Sequence, residues 1–471
     1  MANDVGLPQL GRGPPWPVDE KMIRYHASWV LPICSPPIRD GVVAVDGSLI
    51  THVGTIDDAP PGADEQLGDV VLMPGLVNAH CHLELTAMRG FLEDLDFQRW
   101  ILRLTNARRA ILDDRALLDS ARYGIEEGIR AGITSYADTC SSGVVMQAMR
   151  DAGVRGVMYQ EVFGPDPAQC EQSIAGLREK VSSLRYLETP LVRVGVSPHA
   201  PYTVSDDLFR ATAALAREMS LPMAVHIAES ELEYQCVVHA SGSFADGLRR
   251  RGIPVSSRAP SPVQLLESLG VLERRPLLIH CVRVDQRDVA SIAGSQSSVA
   301  HCPASNAKLG HGIAPLDELL AAGVAIGLGS DSMASNNRMD ILEEARLALL
   351  TQRARLGSFE MPEAVDVLEL ATVGGAHAIG VDSVVGTLEA GKQADLAAFS
   401  LDGIGPVHDP IAATIFSVNG GRARFVAVAG KPLLRDAMLV NATPGLHDRM
   451  QSLADSLAKW LVEGGEMQGT V

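Results

Sequence analysis

The sequence predicts an α/β fold: a (β/α)8 TIM-type barrel with a small composite β-sandwich domain built from both chain ends. Three observations predict it. Eight short, nearly continuous apolar runs recur between residues 73 and 332, as parallel strands buried on both faces require. Amphipathic stretches with helical spacing separate them. On either side the text turns to short β-like runs broken by Gly, Pro and Asp.

Residues 1–20, containing "GLPQLGRGPPWP", read as an irregular arm. Residues 21–72 hold "RYHASWVL" and "GVVAVDGSLITHVG", and residues 386–440 hold "GTLEAGKQADLAAFS" and "RARFVAVAGKPLL". The simplest topology joins these two segments into one small β domain, with a barrel of residues 73–385 inserted between them. The barrel runs are "MPGLVNAHCH", "GITSYADT", "VRGVMYQEV", "LVRVGVSPHA", "LPMAVHIAE", "PLLIHCVRV", "SSVAHCPAS" and "VAIGLGSDS". Among the helical stretches, Leu117, Ala121, Ile125 and Ile129 repeat every fourth position, with Gly132 as the stop. Ser205 is a candidate N-cap for "SDDLFRATAALAREM". Residues 441–471 form a last helix and tail, with Leu446, Met450, Leu453, Leu457 and Leu461 on one face.

The 471 residues suit one large barrel and a smaller companion. A net charge of −17 argues against nucleic acid or an anionic membrane, which reward Lys and Arg. Seven scattered Cys without a CxxC pair make no disulfide framework, and a reducing cytoplasm is the expected setting. Neither a signal peptide nor a transmembrane helix is expected. A homo-oligomer, dimer or higher, is expected from the barrel surface.

In such barrels the active site lies where strands end at their C-terminal side, so the polar residue ending each run is the one to read. These are His80 and His82 on the first, His199 on the fourth, His226 and Glu229 on the fifth, His280 on the sixth, His301 on the seventh and Asp331 on the eighth. Residues i and i+2 of a strand share a face, so His80 and His82 reach one metal ion while Cys81 points the other way. With His226 and Asp331, three imidazoles and a carboxylate suit one divalent cation, Zn²⁺ favoured over Fe²⁺. The fourth run, "VGVSPHAP", has no Lys that could be carbamylated to bridge two metals, which favours a single ion. Glu229 can take a proton from water and deliver it to a substrate atom. The acidic "ESELEY" otherwise reads as a favourable helix N-terminus, which accounts for Glu231 and Glu233. His280 is placed to hydrogen-bond the attacking oxygen, and Asp331 has two roles, metal ligand and proton acceptor.

These segments, together with "HGIAP" and "GTLEAGKQADLA", resemble the amidohydrolase superfamily, and more narrowly its deaminase/chlorohydrolase branch, over residues 70 to 400 and in the right order. The resemblance implies hydrolysis of an amino or chloro substituent on a heterocycle, with His80, His82, His226 and Asp331 as ligands and Glu229 and His280 as the proton-transfer pair. It also implies His199 and Trp100 as substrate contacts. "HLELTAMRGFLEDLDFQRWI" followed by "GSDSMASN" resembles most the aminofutalosine deaminases of menaquinone biosynthesis, which remove the 6-amino group of an adenine nucleoside. Adenosine, S-adenosylhomocysteine and methylthioadenosine remain possible substrates. The Leu-Glu-Leu after HxH departs from the S-adenosylhomocysteine and methylthioadenosine deaminases. A guanine, pterin or cytosine-type deaminase, or an s-triazine chlorohydrolase or deaminase, is the alternative. Glu84 has two readings, a contact to a sugar hydroxyl or ring nitrogen, or a carboxylate orienting a ligand histidine. Trp100 either stacks on a purine or fills the core of its helix. His301, Asn306 and Asn336 either line the pocket or hold a loop.

Overall fold

The computed structural model describes residues 22–418 and 420–465. The arm expected over residues 1–20 lies outside the described residues. The eight apolar runs become the eight strands of a parallel barrel: Leu76–Cys81, Ile133–Cys140, Arg155–Val162, Val192–Pro198, Ala224–Ile227, Leu277–His280, Ser298–His301 and Ala325–Leu328. They pair in chain order as two four-stranded halves. Bridges between Val196 and Met223 and between Cys81 and Asp331 close the ring.

The helical periodicities explain how the barrel is covered. Helix Asp114–Arg130 buries Leu117, Ala121, Ile125 and Ile129. Its stop, Gly132, has φ +83°, and a Cβ there would meet the Phe399 ring at 2.3 Å, so both conformation and space require glycine. Helix Asp206–Glu218 begins at Ser205, whose hydroxyl accepts from the Leu208 amide at 3.3 Å, the capping expected of that residue.

The chain ends meet in one nine-stranded sheet. Its seam is the antiparallel pairing of Val70–Pro74 with Leu396–Ser400. The sheet curls until Tyr25 packs on Phe425, ring centroids 4.9 Å apart. Val43, Leu72, Leu396 and Ala427 share the core so enclosed, and the expected sandwich is therefore a single sheet folded over itself. Val70–Pro74 runs through Gly75 directly into the first barrel strand. The Arg155 guanidinium spans the junction, donating to Asp395 Oδ2 at 2.8 Å and Oδ1 at 3.0 Å and to Gln393. Helix Leu446–Val462 buries Leu446, Met450 and Leu457 in a cluster with Phe97 and Trp100 of helix Phe97–Ile111.

The Arg155 and Asp395 side chains are 4% and 1% exposed. Removing one partner strands the other charge in a dry junction. Arg155→Met should cost about 3–5 kcal/mol in urea unfolding, and adding Asp395→Leu should recover part of it.

Candidate metal and active site

The strand ends bring the four expected ligands together. His80 Nε2 lies 3.2 Å from Asp331 Oδ1, and His82 Nε2 lies 3.6 Å from the same oxygen. His226 Nε2 is 3.3 Å from His82 Nε2. The Cys81 thiol turns away toward the Ala137 carbonyl and Asp138, as the alternation of a strand requires. Two features let Asp331 reach this group. A Cβ on Gly329 would sit 2.9 Å from the His80 Cβ and from the Cys302 sulfur, so only glycine permits the approach. Asp331 itself has φ +55° and His280 has φ +78°, a left-handed conformation that non-glycine residues adopt at a cost.

The donor atoms fit a divalent cation. His226 Nδ1 donates to the His199 carbonyl at 3.3 Å, which leaves a lone pair on Nε2 facing His82. Asp331 Oδ2 accepts from the Ser305 hydroxyl at 2.5 Å and the Ser335 hydroxyl at 3.0 Å, which turns Oδ1 to the imidazoles. Burial pushes His80, His82, His226 and His280 below the ordinary histidine range, so they are neutral, the form that binds metal. Burial opposes ionisation of Asp331, but the hydrogen bond with His80 and the surrounding imidazoles hold it well below the usual carboxylate range.

Glu229 and His280 sit beside this group. Glu229 Oε1 is 3.7 Å from His280 Nε2 and 3.3 Å from His311 Nε2. Burial works against its charge, yet His280 and His311 prevail and hold it below the usual range. His280 Nδ1 donates to Asn306 Oδ1 at 3.0 Å, which fixes the ring and places Asn306 behind it. Glu233 does more than favour a helix N-terminus. It is fully buried, and its carboxylate accepts from the Ala228 and Glu229 amides, both at 2.9 Å, clamping the turn that aims Glu229.

Above the group opens a cavity of about 910 Å³. One wall is apolar, with Phe97, Trp100, Ile101 and Leu104. The other is polar, with Glu84, Arg108, Ser141, Ser142 and Glu161. Trp100 packs in the core at the cavity's edge: it lines the cavity, stacks on Phe97 and donates to the Ala334 carbonyl at 3.4 Å. His199 lines the cavity, and its Nδ1 is 2.8 Å from the Thr203 hydroxyl.

Glu84 also faces the cavity, but its carboxylate is saturated. Oε1 accepts from Arg108 at 3.0 Å and from the Ser141 amide and hydroxyl, both at 3.3 Å, and Oε2 accepts from the Ser142 amide and hydroxyl. It orients no ligand histidine by hydrogen bonding; it staples the loop after the second strand to helix Phe97–Ile111. Asn336 is a correction. Its amide donates to the Ser330 carbonyl at 2.7 Å and to Glu344 at 2.6 Å. It therefore braces the turn bearing Asp331 from outside the cavity and does not line it. His301 likewise lies outside the lining, buried, with neither ring nitrogen bonded among the described residues.

Reading strand ends misses two residues. His311 lies in a loop after helix Pro303–Lys308, where no strand marks it. Glu161 lies on the third strand, and the interruption of "VRGVMYQEV" by Gln-Glu was its signal.

A closed parallel barrel with a histidine-rich group at its strand ends, carried beside a sheet made by both chain ends, defines the class: a barrel hydrolase built around a metal-binding site. The chain belongs to the amidohydrolase family, whose model matches residues 71–433. It is 31% identical over 412 residues, 86% of this chain and 92% of the relative, to a protein of Moorella thermoacetica named 5-methylthioadenosine/S-adenosylhomocysteine deaminase. It is 32% identical over 410 residues, 85% of this chain and 91% of the relative, to a 5′-deoxyadenosine deaminase of Methanothermobacter thermautotrophicus. Among solved structures, it is similar to an adenosine deaminase from Xanthomonas campestris with bound zinc, at TM-score 0.83 and 28% identity, covering 93% of this chain and 98% of that one. It shares the fold of an atrazine chlorohydrolase from Arthrobacter aurescens, at TM-score 0.79 and 24% identity, covering 93% and 100%. Several relatives carry the name of the group from which Leu83-Glu84-Leu85 was expected to depart.

The buried histidines set a pH dependence. In the unfolded chain they take a proton near pH 6.5, whereas burial lowers His199 to about 3 and His301 to about 4. Between those limits the unfolded state binds more protons, so stability falls with acidification. The melting temperature of chelated protein should drop steadily from pH 6.5 to pH 4, and His301→Leu should flatten that slope.

Proposed function

We propose that the chain is a hydrolytic deaminase that removes the 6-amino group of adenine-type nucleosides and releases ammonia. The observation that carries this reading is Glu229 held 3.7 Å from His280 beside the ligand group, at the base of a cavity large enough for a substituted nucleoside. His80, His82, His226 and Asp331 would hold one cation, zinc favoured by the Xanthomonas campestris relative. When bound, such a cation makes water nucleophilic near neutral pH.

The chain's own residues perform the proton work. Glu229, ionised at rest, takes one proton of the attacking water and delivers it to the ring nitrogen beside the reacting carbon. Asp331, held ionised by its imidazole neighbours, accepts the second proton from the oxygen that has added and passes it to the amino group, which leaves as ammonia. His280, its Nδ1 proton fixed on Asn306, turns Nε2 to the oxygen that adds. The apolar wall with Trp100 receives the ring and excludes water from it.

The cavity exceeds what adenosine needs, and Arg109 and Arg251 lie in its lining, which supports a 5′ extension ending in an anion. 6-Amino-6-deoxyfutalosine and S-adenosylhomocysteine both have one, and 6-amino-6-deoxyfutalosine is the preferred substrate within this proposal.

Ammonia release should be measured from 6-amino-6-deoxyfutalosine, S-adenosylhomocysteine, 5′-methylthioadenosine and adenosine, with guanine and atrazine as counter-substrates. Turnover confined to guanine or atrazine, or none at all, overturns the assignment. Glu229→Gln should lower kcat by roughly 10²–10⁴-fold, the range of positioned acid–base catalysis, with metal content unchanged.

A further inference from the structure

Glu161 is a half-buried carboxyl that the reaction above does not use. It projects from the third strand into the cavity lining. Its Oε1 is closed to solvent and has no hydrogen-bond partner among the described residues, while the accessible part of the side chain faces the cavity. A carboxyl left unpaired costs free energy, and on its cavity side it can be paired by a ligand that brings a donor. Glu84, the neighbouring carboxylate on the same wall, is excluded from that role because five protein donors already occupy it.

His199 supplies a second acceptor alongside. The Thr203 hydroxyl donates to the Ala200 carbonyl at 3.1 Å, so it takes the Nδ1 proton of His199 at 2.8 Å. Nε2 of His199 is left with a lone pair. Ligand atoms of Glu161, His199 and His226 lie within 4.8 Å of one another. His226 has no nitrogen left for a second ion, because Nδ1 is spent on the His199 carbonyl and Nε2 faces the first ligand group. Two adjacent acceptors on the polar wall therefore call for two adjacent donors on the substrate.

The purine cannot supply them. Apart from the departing amino group, the ring edge of an adenine nucleoside offers acceptors only. The vicinal hydroxyls of its ribose are donors at the right spacing for two neighbouring acceptors.

We infer that Glu161, assisted by His199, is the residue that recognises the ribose hydroxyls of the nucleoside. This rests on the adenine-nucleoside reading above. A carboxyl keeps an acceptor oxygen in either protonation form, so recognition does not depend on its charge.

The test is steady-state ammonia release by the zinc-loaded, full-length protein on adenosine, 2′-deoxyadenosine and 3′-deoxyadenosine, for wild type, Glu161→Gln and Glu161→Ala. Wild type should favour adenosine over at least one deoxy substrate by roughly 3- to 100-fold in kcat/KM, the span from a hydrogen bond between neutral groups to one on a charged group. Glu161→Ala should lose that factor on adenosine, mainly through KM, and change the disfavoured deoxy substrate little, so that discrimination disappears. Glu161→Gln, which keeps the size and one acceptor, should retain part of it and serves where the alanine variant fails to fold. Equal losses on all three substrates, or no loss on adenosine, overturn the inference while leaving the deaminase reading intact. A wild-type enzyme that turns over none of the three, nor the 5′-extended nucleosides, overturns both.

Discussion

The seam between the first and last barrel strands governs the rest of the molecule. There the Asp331 amide donates to the His80 carbonyl at 2.9 Å, and Cys81 bridges Asp331 across the closure. A cylinder of parallel strands can bring residues 251 positions apart in sequence into contact only if it closes. Closure here sets a carboxylate against two imidazoles whose backbone is already fixed. The glycine at 329 and the left-handed turn at 331 are what the closure costs locally. The hydroxyls of Ser305 and Ser335 then settle which carboxylate oxygen faces inward.

Five carboxyl groups in and around the cavity show how environment assigns function to one side-chain type. Asp331 and Glu229 are ringed by imidazoles and stay charged. Glu233 receives two backbone amides and acts as a clamp. Glu84 receives a guanidinium and two serines and acts as a staple. Glu161 has neither, and burial together with the charge of Glu84 pushes it up to about 8. The same contrast divides the cavity into an aromatic wall and a hydrogen-bonding wall, which is the division the proposed nucleoside substrate requires.

Much of this was legible because a buried parallel strand leaves a local signature: an apolar run with one polar residue at its end. That signature located His80, His226 and His280 without tertiary information, and the i, i+2 rule separated His82 from Cys81. Asp331 was legible for the same reason, although the turn that aims it was not. His311 escaped because it sits in a loop, where neither period nor apolar run marks a residue. Glu233 was read as helix-terminal charge, a sufficient local explanation that concealed its long reach to the Glu229 backbone. Asn336 was placed in the pocket by its nearness to Asp331, but which way a side chain turns from a short helix is decided by partners such as Glu344 that the sequence does not order in space. For Glu84 both readings presumed a free carboxylate, and only the fold shows that Arg108, Ser141 and Ser142 converge on it.

The apolar wall of the cavity is backed by the chain's last helix. Helix Phe97–Ile111 carries Trp100 on a surface whose far side rests on Leu446, Met450 and Leu457. That wall thus rests on a segment which carries none of the candidate ligands. The seam at His80 and Asp331 is braced instead by Ser305, Ser335 and Asn336, so substitutions along Leu446–Val462 reach the aromatic wall without touching the side chains that aim the ligand group.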